Sequence, residues 1–223
     1  MKNVVLLNPN TNTRATTMMT TLAMRHRSGF PPITVRGATV HSGPAMITEP
    51  VALAAAATAV GDQVNLLEPG TMDALIIAAF GDPGLAQLQH SLDLPVVGIG
   101  QSAILEAAHA GRAFALATTT PDLVDSLTEQ VERYGCSDSF RGVFLTGDGP
   151  LVLAANPQAQ LEQLREATRA AAARGAEAVV IAGGPLSDTA RQLRTSTTVQ
   201  LIEPVPAAIA RVERMLLLRS QKR

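Results

Sequence analysis

The stretches DALIIAAFGDPGLAQL (residues 73–88) and EAVVIAGGPLSDTARQL (residues 177–193) follow one plan. Each begins with an acidic residue, runs through an aliphatic strand, turns on Gly and Pro with an aspartate in the turn, and continues at helical spacing. Self-similarity at this distance marks a duplicated structural unit, so the chain reads as two copies of one arrangement.

The repeat extends outward from these stretches. NVVLLNPNT at residues 3–11 has a counterpart in AFALATTTPD at residues 113–122. Both are apolar strands ending in a polar Asn or Thr turn ahead of a helix, and the length of chain from Asn8 to Gly81 is close to that from Thr118 to Gly184. Aliphatic runs at 4–7, 33–35, 74–78, 96–99, 113–117, 143–145, 179–182 and 200–202 read as strands. The segments 48–67, 84–90, 101–110, 121–134, 157–174 and 187–193 read as helices, and 204–219 closes the chain. Alanine-rich interiors at 51–60 and 167–173 favour helix. Buried strands alternating with helices are the pattern of a mainly parallel sheet. The expected fold is therefore α/β, with two similar Rossmann-like lobes related by a pseudo-twofold axis. Lobe one covers 1–100 and is completed by the C-terminal helix at 205–223; lobe two covers 101–204. Polar strand ends are expected to face one another across a ligand cleft, as in open α/β sheets generally.

With 223 residues, 46% hydrophobic and 17% charged, the chain can bury a sizeable core. Its 18 basic and 19 acidic side chains leave a formal net charge of -1, with no excess of positive potential for nucleic acid or an anionic membrane. The apolar run at 4–7 stops at Asn8-Pro9-Asn10, far short of a signal-peptide core or a membrane span, so a cytoplasmic location is expected. Cys136 is the single cysteine, and His26, His41, His90 and His109 show no metal-ligand spacing. No metal and no cofactor is expected. The alanine-rich helices point to a homo-oligomer.

Asn8, Asn10 and Thr11 form the first strand-to-helix turn, and Thr118, Thr119 and Thr120 form its counterpart. Short polar side chains and free amides there suit a carboxylate or amide group, although one residue of each turn can serve as a helix cap. The later turns bring Ala79, Phe80 and Gly81 with Asp82 in one half, and Gly183, Gly184 and Pro185 with Asp188 in the other. Their glycines let a substrate approach the backbone, and both aspartates are equally suited to capping. His41, in the loop before a helix, is a candidate for proton transfer near neutral pH. GIGQSA at 98–103 has the G-x-G-x-x-A form, but no acidic residue stands about 20 positions on, which argues against a dinucleotide. Cys136 ends a predicted helix away from the strand ends and is not expected to act as a nucleophile.

Taken together, LLNPNT, GPAMITEP at 43–50, DALIIAAFGDPGL, LPVVGIGQSA, ATTTP and EAVVIAGGPL resemble the hydantoin racemase branch of the aspartate/glutamate racemase superfamily, in consistent order through most of the chain. The resemblance implies a cofactor-independent enzyme in which two cysteines, one per lobe, remove and return a proton on opposite faces of a carbon beside a carbonyl. It places the first cysteine on Ala79 and the second on about Gly183, where this chain has no thiol. Three readings follow. The protein is a racemase-type isomerase of a small carboxylic acid or cyclic amide, with Asp82, Asp188, His41 or Glu203 moving protons. Alternatively it is a lyase or decarboxylase using the same carbanion-stabilising pocket, or a binder of small anions that no longer catalyses.

Overall fold

The computed structural model describes residues 1–68 and 70–221, with the side chains of Asp188 and Thr195 outside the description. Contacts divide the chain into two units. Unit 1 comprises Met1–Ile47, Val51–Ser102 and Val205–Arg223; unit 2 comprises Thr48–Pro50 and Ala103–Pro204.

Unit 1 is built on β1 (Lys2–Asn8), α1 (Thr13–Arg25), β2 (Ile33–Thr39), α2 (Pro50–Asn65), β3 (Ala74–Ile77), α3 (Leu85–Ser91), β4 (Val96–Gly98) and the start of α4 (Ile99–Ala107). Its strands form a parallel sheet in the order β2-β1-β3-β4, with Val4 opposite both Val35 and Ala74, and Leu75 opposite Val96. Unit 2 continues with β5 (Phe114–Thr118), α5 (Val124–Arg133), β6 (Phe140–Leu145), α6 (Pro150–Ala154), α7 (Pro157–Ala173), β7 (Ala178–Ile181), α8 (Ser187–Leu193) and β8 (Gln200–Ile202), before α9 (Pro204–Gln221). Its sheet is also parallel and runs β6-β5-β7-β8. The two strand orders are the same topology, so the duplication read from the sequence is a duplication of fold.

The repeated motif explains which strands lie in the middle. β1 and β3, like β5 and β7, are apolar at every core position because neighbours and helices cover them on all sides. Val4, Val5, Leu6 and Leu7 are fully buried. Alternate side chains go to opposite faces of a strand. Val4 and Leu6 accordingly pack with Met19 of α1 and with Val205, Ile209 and Val212 of α9, whereas Val5 and Leu7 pack with Val60 and Val64 of α2. In unit 2, Ala115, Ala117, Val179 and Ile181 meet Leu164, Ala167 and Ala171 of α7. Each buried Val, Leu or Ile contributes about 1.5–3 kcal/mol, so the central strands dominate the stability of each unit.

Several element boundaries differ from the sequence reading. The strand expected at 96–99 ends at Gly98 because Ile99 already opens α4, and the strand expected at 143–145 begins at Phe140. The helix expected at 101–110 stops at Ala107, and a separate 3-10 turn covers His109–Gly111, with Ala110 in the left-handed region. Likewise, Pro121–Leu123 is a 3-10 turn that feeds α5 rather than its first turn. The short helix α6 is not among the helices expected from sequence: Gly149 precedes it and Pro150 opens it, where Pro fits the first helical position.

Candidate functional site

In unit 1 the turns after β1, β2 and β3 carry the candidate residues. Asn8 is fully buried. Its Nδ2 donates to Asn10 Oδ1 (2.9 Å), Asn12 O (3.0 Å) and Thr16 Oγ1 (3.0 Å), while its Oδ1 accepts from Asn10 N (3.2 Å). Asn8 therefore builds the turn from within, Asn10 Oδ1 also accepts from Asn12 N (3.0 Å), and Asn10 and Thr11 are half-buried. Asn12 caps α1 by accepting from Ala15 N. Thr11 N donates to Pro44 O (3.0 Å), and Val40 N donates to Asn8 O (3.2 Å). The loop carrying the exposed His41 is thereby tied to the Asn turn.

The turn after β3 rests on Asp82. Its carboxylate is buried and accepts from the amides of Gly100 (2.9 Å) and Gln101 (2.5 Å), at the start of α4. The backbone of Asp82 is left-handed, with φ 49°. Charge-assisted bonds to free N-terminal amides, reinforced by the helix dipole, hold it in that conformation. The arrangement also explains Gly98: a Cβ there would lie 2.0 Å from Asp82 Oδ1. The glycines of the G-x-G-x-x-A motif thus serve an internal carboxylate, and the Gly100 and Gln101 amides are already committed to it. Above the same turn, Leu53 of α2 brings Cδ1 to 2.5 Å and Cδ2 to 3.0 Å of where a Cβ on Gly81 would be. Ala79 and Gly81 are half-buried, and Phe80 is buried.

Unit 2 presents neutral groups in the corresponding places. Thr118, 1% exposed, shares a hydrogen bond between hydroxyls with Thr120 (2.9 Å) and donates to Ala182 O (3.1 Å), which ties the β5 turn to the end of β7. Thr119 is buried and Thr120 half-buried. After β7, Gly183 is half-buried, Gly184 buried and Pro185 exposed. A Cβ on Gly183 would meet Leu186 Cδ1 at 2.9 Å, so the core side chain Leu186 occupies that space. Ser187 Oγ donates to Gly184 O (2.6 Å). Asp188 lies on α8, and its side chain is outside the described residues. Glu203, just after β8, is 3% exposed; its Oε1 pairs with Arg194 Nε (2.8 Å), and among the described residues its Oε2 has no hydrogen-bond partner.

Of the four ionisable groups nominated from sequence, Asp82 and Glu203 are thus covered and committed to backbone or to arginine, and His41 reaches solvent. The internal roles of Asn8, Asp82 and Thr118 escaped sequence reading because each side chain turns inward, onto backbone atoms and, for Asn8 and Thr118, neighbouring polar side chains, and the pattern of residues does not say which way a turn residue faces. Asp82 was the exception in kind: an aspartate before Pro-Gly signals a cap, but not that the cap belongs to α4 rather than to the adjoining α3. Cys136 is buried, which pushes its thiol above the ordinary range and keeps it protonated. Among the described residues, no group of three or more His, Cys, Asp or Glu is placed to hold a metal ion, and no helix is long and apolar enough to cross a membrane.

A groove of about 590 Å³ runs along α1 and β2. Thr17, Thr20 and Thr21 in its wall donate their hydroxyls back to carbonyls of α1, so it offers mainly methyl groups.

The family model described as Asp/Glu/Hydantoin racemase matches residues 4–212. The hydantoin racemase of Paenarthrobacter aurescens is 32% identical over 147 residues, which cover 66% of this chain and 62% of that protein. The hydantoin racemase of Rhizobium meliloti is 35% identical over 146 residues, covering 65% and 61%. The matched stretch thus spans a little under two thirds of the length of these curated relatives. Among solved structures, the allantoin racemase of Klebsiella pneumoniae superimposes with a TM-score of 0.90 at 26% identity, over 98% of this chain and 89% of that one.

Proposed function

Because the chain belongs to the Asp/Glu/hydantoin racemase family, we propose that it is a cofactor-independent isomerase that inverts the carbon beside a carbonyl in a hydantoin-like ring, without cysteine thiols. The observation that carries this reading is the matched pair of strand-end turns, half-buried at Ala79 and Gly81 in one unit and at Gly183 in the other. They offer backbone and small side chains to a flat ring on the same topological positions of a duplicated sheet. Hydantoin and allantoin share that ring, and relatives of both names stand close to this chain.

Inversion needs a base on one face of the carbon and an acid on the other, with hydrogen-bond donors to carry the enolate charge. Asn10 and Thr11 supply donors at the first turn, through the Asn10 side-chain amide and the Thr11 hydroxyl, whereas the Thr120 hydroxyl is engaged with Thr118. His41 is the exposed ionisable group on a loop bonded to the Asn turn, and it is the first choice for moving the proton. Asp188 is the second, by its place on α8. Asp82 and Glu203 hold elements in position, since both carboxylates are buried.

The test is proton NMR in D₂O with a panel of hydantoins, amino acids, their N-carbamoyl derivatives and substituted malonates. Exchange at the ring carbon well above the protein-free rate, lost in His41→Asn, is expected. Release of CO₂ from a malonate without ring exchange would instead mark a lyase, and line broadening without any reaction would mark a binding protein. If both His41→Asn and Asp188→Asn retain full exchange, the assignment of the proton-moving groups is wrong.

A further inference from the structure

The strand-end turn of unit 1 is covered by a side chain that the chemistry above does not use. Leu53 is half-buried and is not one of the buried core side chains among the described residues. Nevertheless its isobutyl group lies directly on Gly81, with both methyl carbons within 3.0 Å of the Cβ position that glycine leaves empty. A half-buried leucine lying on Gly81 keeps part of its apolar surface uncovered beside that turn, which also carries the half-buried Ala79. The arrangement in unit 2 is different: the leucine against Gly183 is Leu186, which is buried and belongs to the core.

We infer that Leu53 is a specificity-determining residue, forming the wall against which the substituent on the substrate's ring carbon rests and favouring an apolar substituent over a polar one. The inference rests on the proposed function and narrows it: the substrate class is a hydantoin bearing an alkyl or aryl group, not the ureido group that makes the ring allantoin. A buried ureido group facing a leucine would lose its hydrogen bonds to water without replacement, whereas an alkyl group would gain apolar contact.

The experiment compares 5-isobutylhydantoin with allantoin by ring-carbon exchange in D₂O, for the wild type and for Leu53→Asn and Leu53→Met. Wild type is expected to prefer the alkyl ring by about tenfold or more in kcat/KM. Leu53→Met should keep that preference, and Leu53→Asn should cut it at least about tenfold, chiefly through a higher KM for the alkyl ring with kcat less affected. A preference unchanged within about twofold in a folded Leu53→Asn protein overturns the inference. If neither ring exchanges with the wild type, the proposed function fails. Saturation-transfer NMR of the same two compounds then tests Leu53 by binding alone, where an equal response of both proteins to both compounds overturns its role.

Discussion

The two units share one strand order but fasten the same place in opposite directions. In unit 1 a carboxylate on the turn after the third strand, Asp82, reaches forward to the amides that open the helix after the fourth. In unit 2 a carboxylate after the fourth strand, Glu203, reaches back to Arg194, which follows the helix after the third. Each buried acid ties the third connection to the fourth. The partners differ: rigid backbone amides in one case, a long cation whose side chain is 52% exposed in the other. Duplication has thus preserved the architecture and the need for a tie at this point, while the residues that meet it differ between the copies.

That difference gives an order of consequences. Asp82→Ala removes two charge-assisted bonds and leaves the first amides of α4 without their cap, so urea unfolding should report a loss of about 2–4 kcal/mol. Gly98→Ala should lose a similar amount, because its methyl would collide with the carboxylate. In an Asp82→Ala background the same substitution should cost markedly less, and additive losses would refute the steric link. Glu203→Met should shift stability by no more than about 1 kcal/mol, since a well-packed apolar side chain often replaces a buried ion neutrally and Arg194 can turn to water. A loss as large as that of Asp82→Ala would make the two ties equivalent after all.

The smallest effect lies at the opposite end of unit 1. Asp73 accepts from Lys2 Nζ and Asn3 N, both at 2.8 Å. Partial burial works to raise its carboxyl, but the bonds from Lys2 and the amide outweigh this and hold it below the ordinary value. A carboxylate depressed in the folded state stabilises above its unfolded pKa and loses that contribution as pH falls through the folded one, so the relevant window runs from about pH 4 downward. Asp73→Asn should cost less than about 1 kcal/mol at neutral pH, and the gap in melting temperature to wild type should narrow steadily as pH falls below about 4. A gap that stays open in acid would assign the effect to packing.

Much of this architecture was legible in the chain because the repeat is written in apolar strands. Val4 to Leu7, the run from Ala74 to Ile77 and their counterparts had to be central, since no edge or surface strand tolerates such continuous hydrophobicity. The turns were legible as places but not as mechanisms. Nothing in the spelling of GIGQSA says that Gly98 makes room for an aspartate 16 positions earlier. Nor does NPNTN disclose that Asn8 is fully buried while Asn10 and Thr11 are only half-buried. The bonds of Asp82 depend on how segments distant in sequence are brought together, and those of Asn8 on which way a turn residue faces; composition carries no trace of either.

The last helix has a consequence for how the molecule is made. Val205, Ile209, Val212 and Leu216 of α9 complete the core formed by Val4, Leu6, Ile33 and Ile76, and the buried Glu213 accepts from Ser28 N (2.9 Å). During synthesis this face of the first sheet is therefore covered by α1 alone while all of unit 2 is translated, on the order of ten seconds at ordinary elongation rates. The core that joins Ala115, Ala117, Val179 and Ile181 to α7 draws only on segments of unit 2, so it can form as it emerges, and the second-written half of this protein is the one whose core can close first.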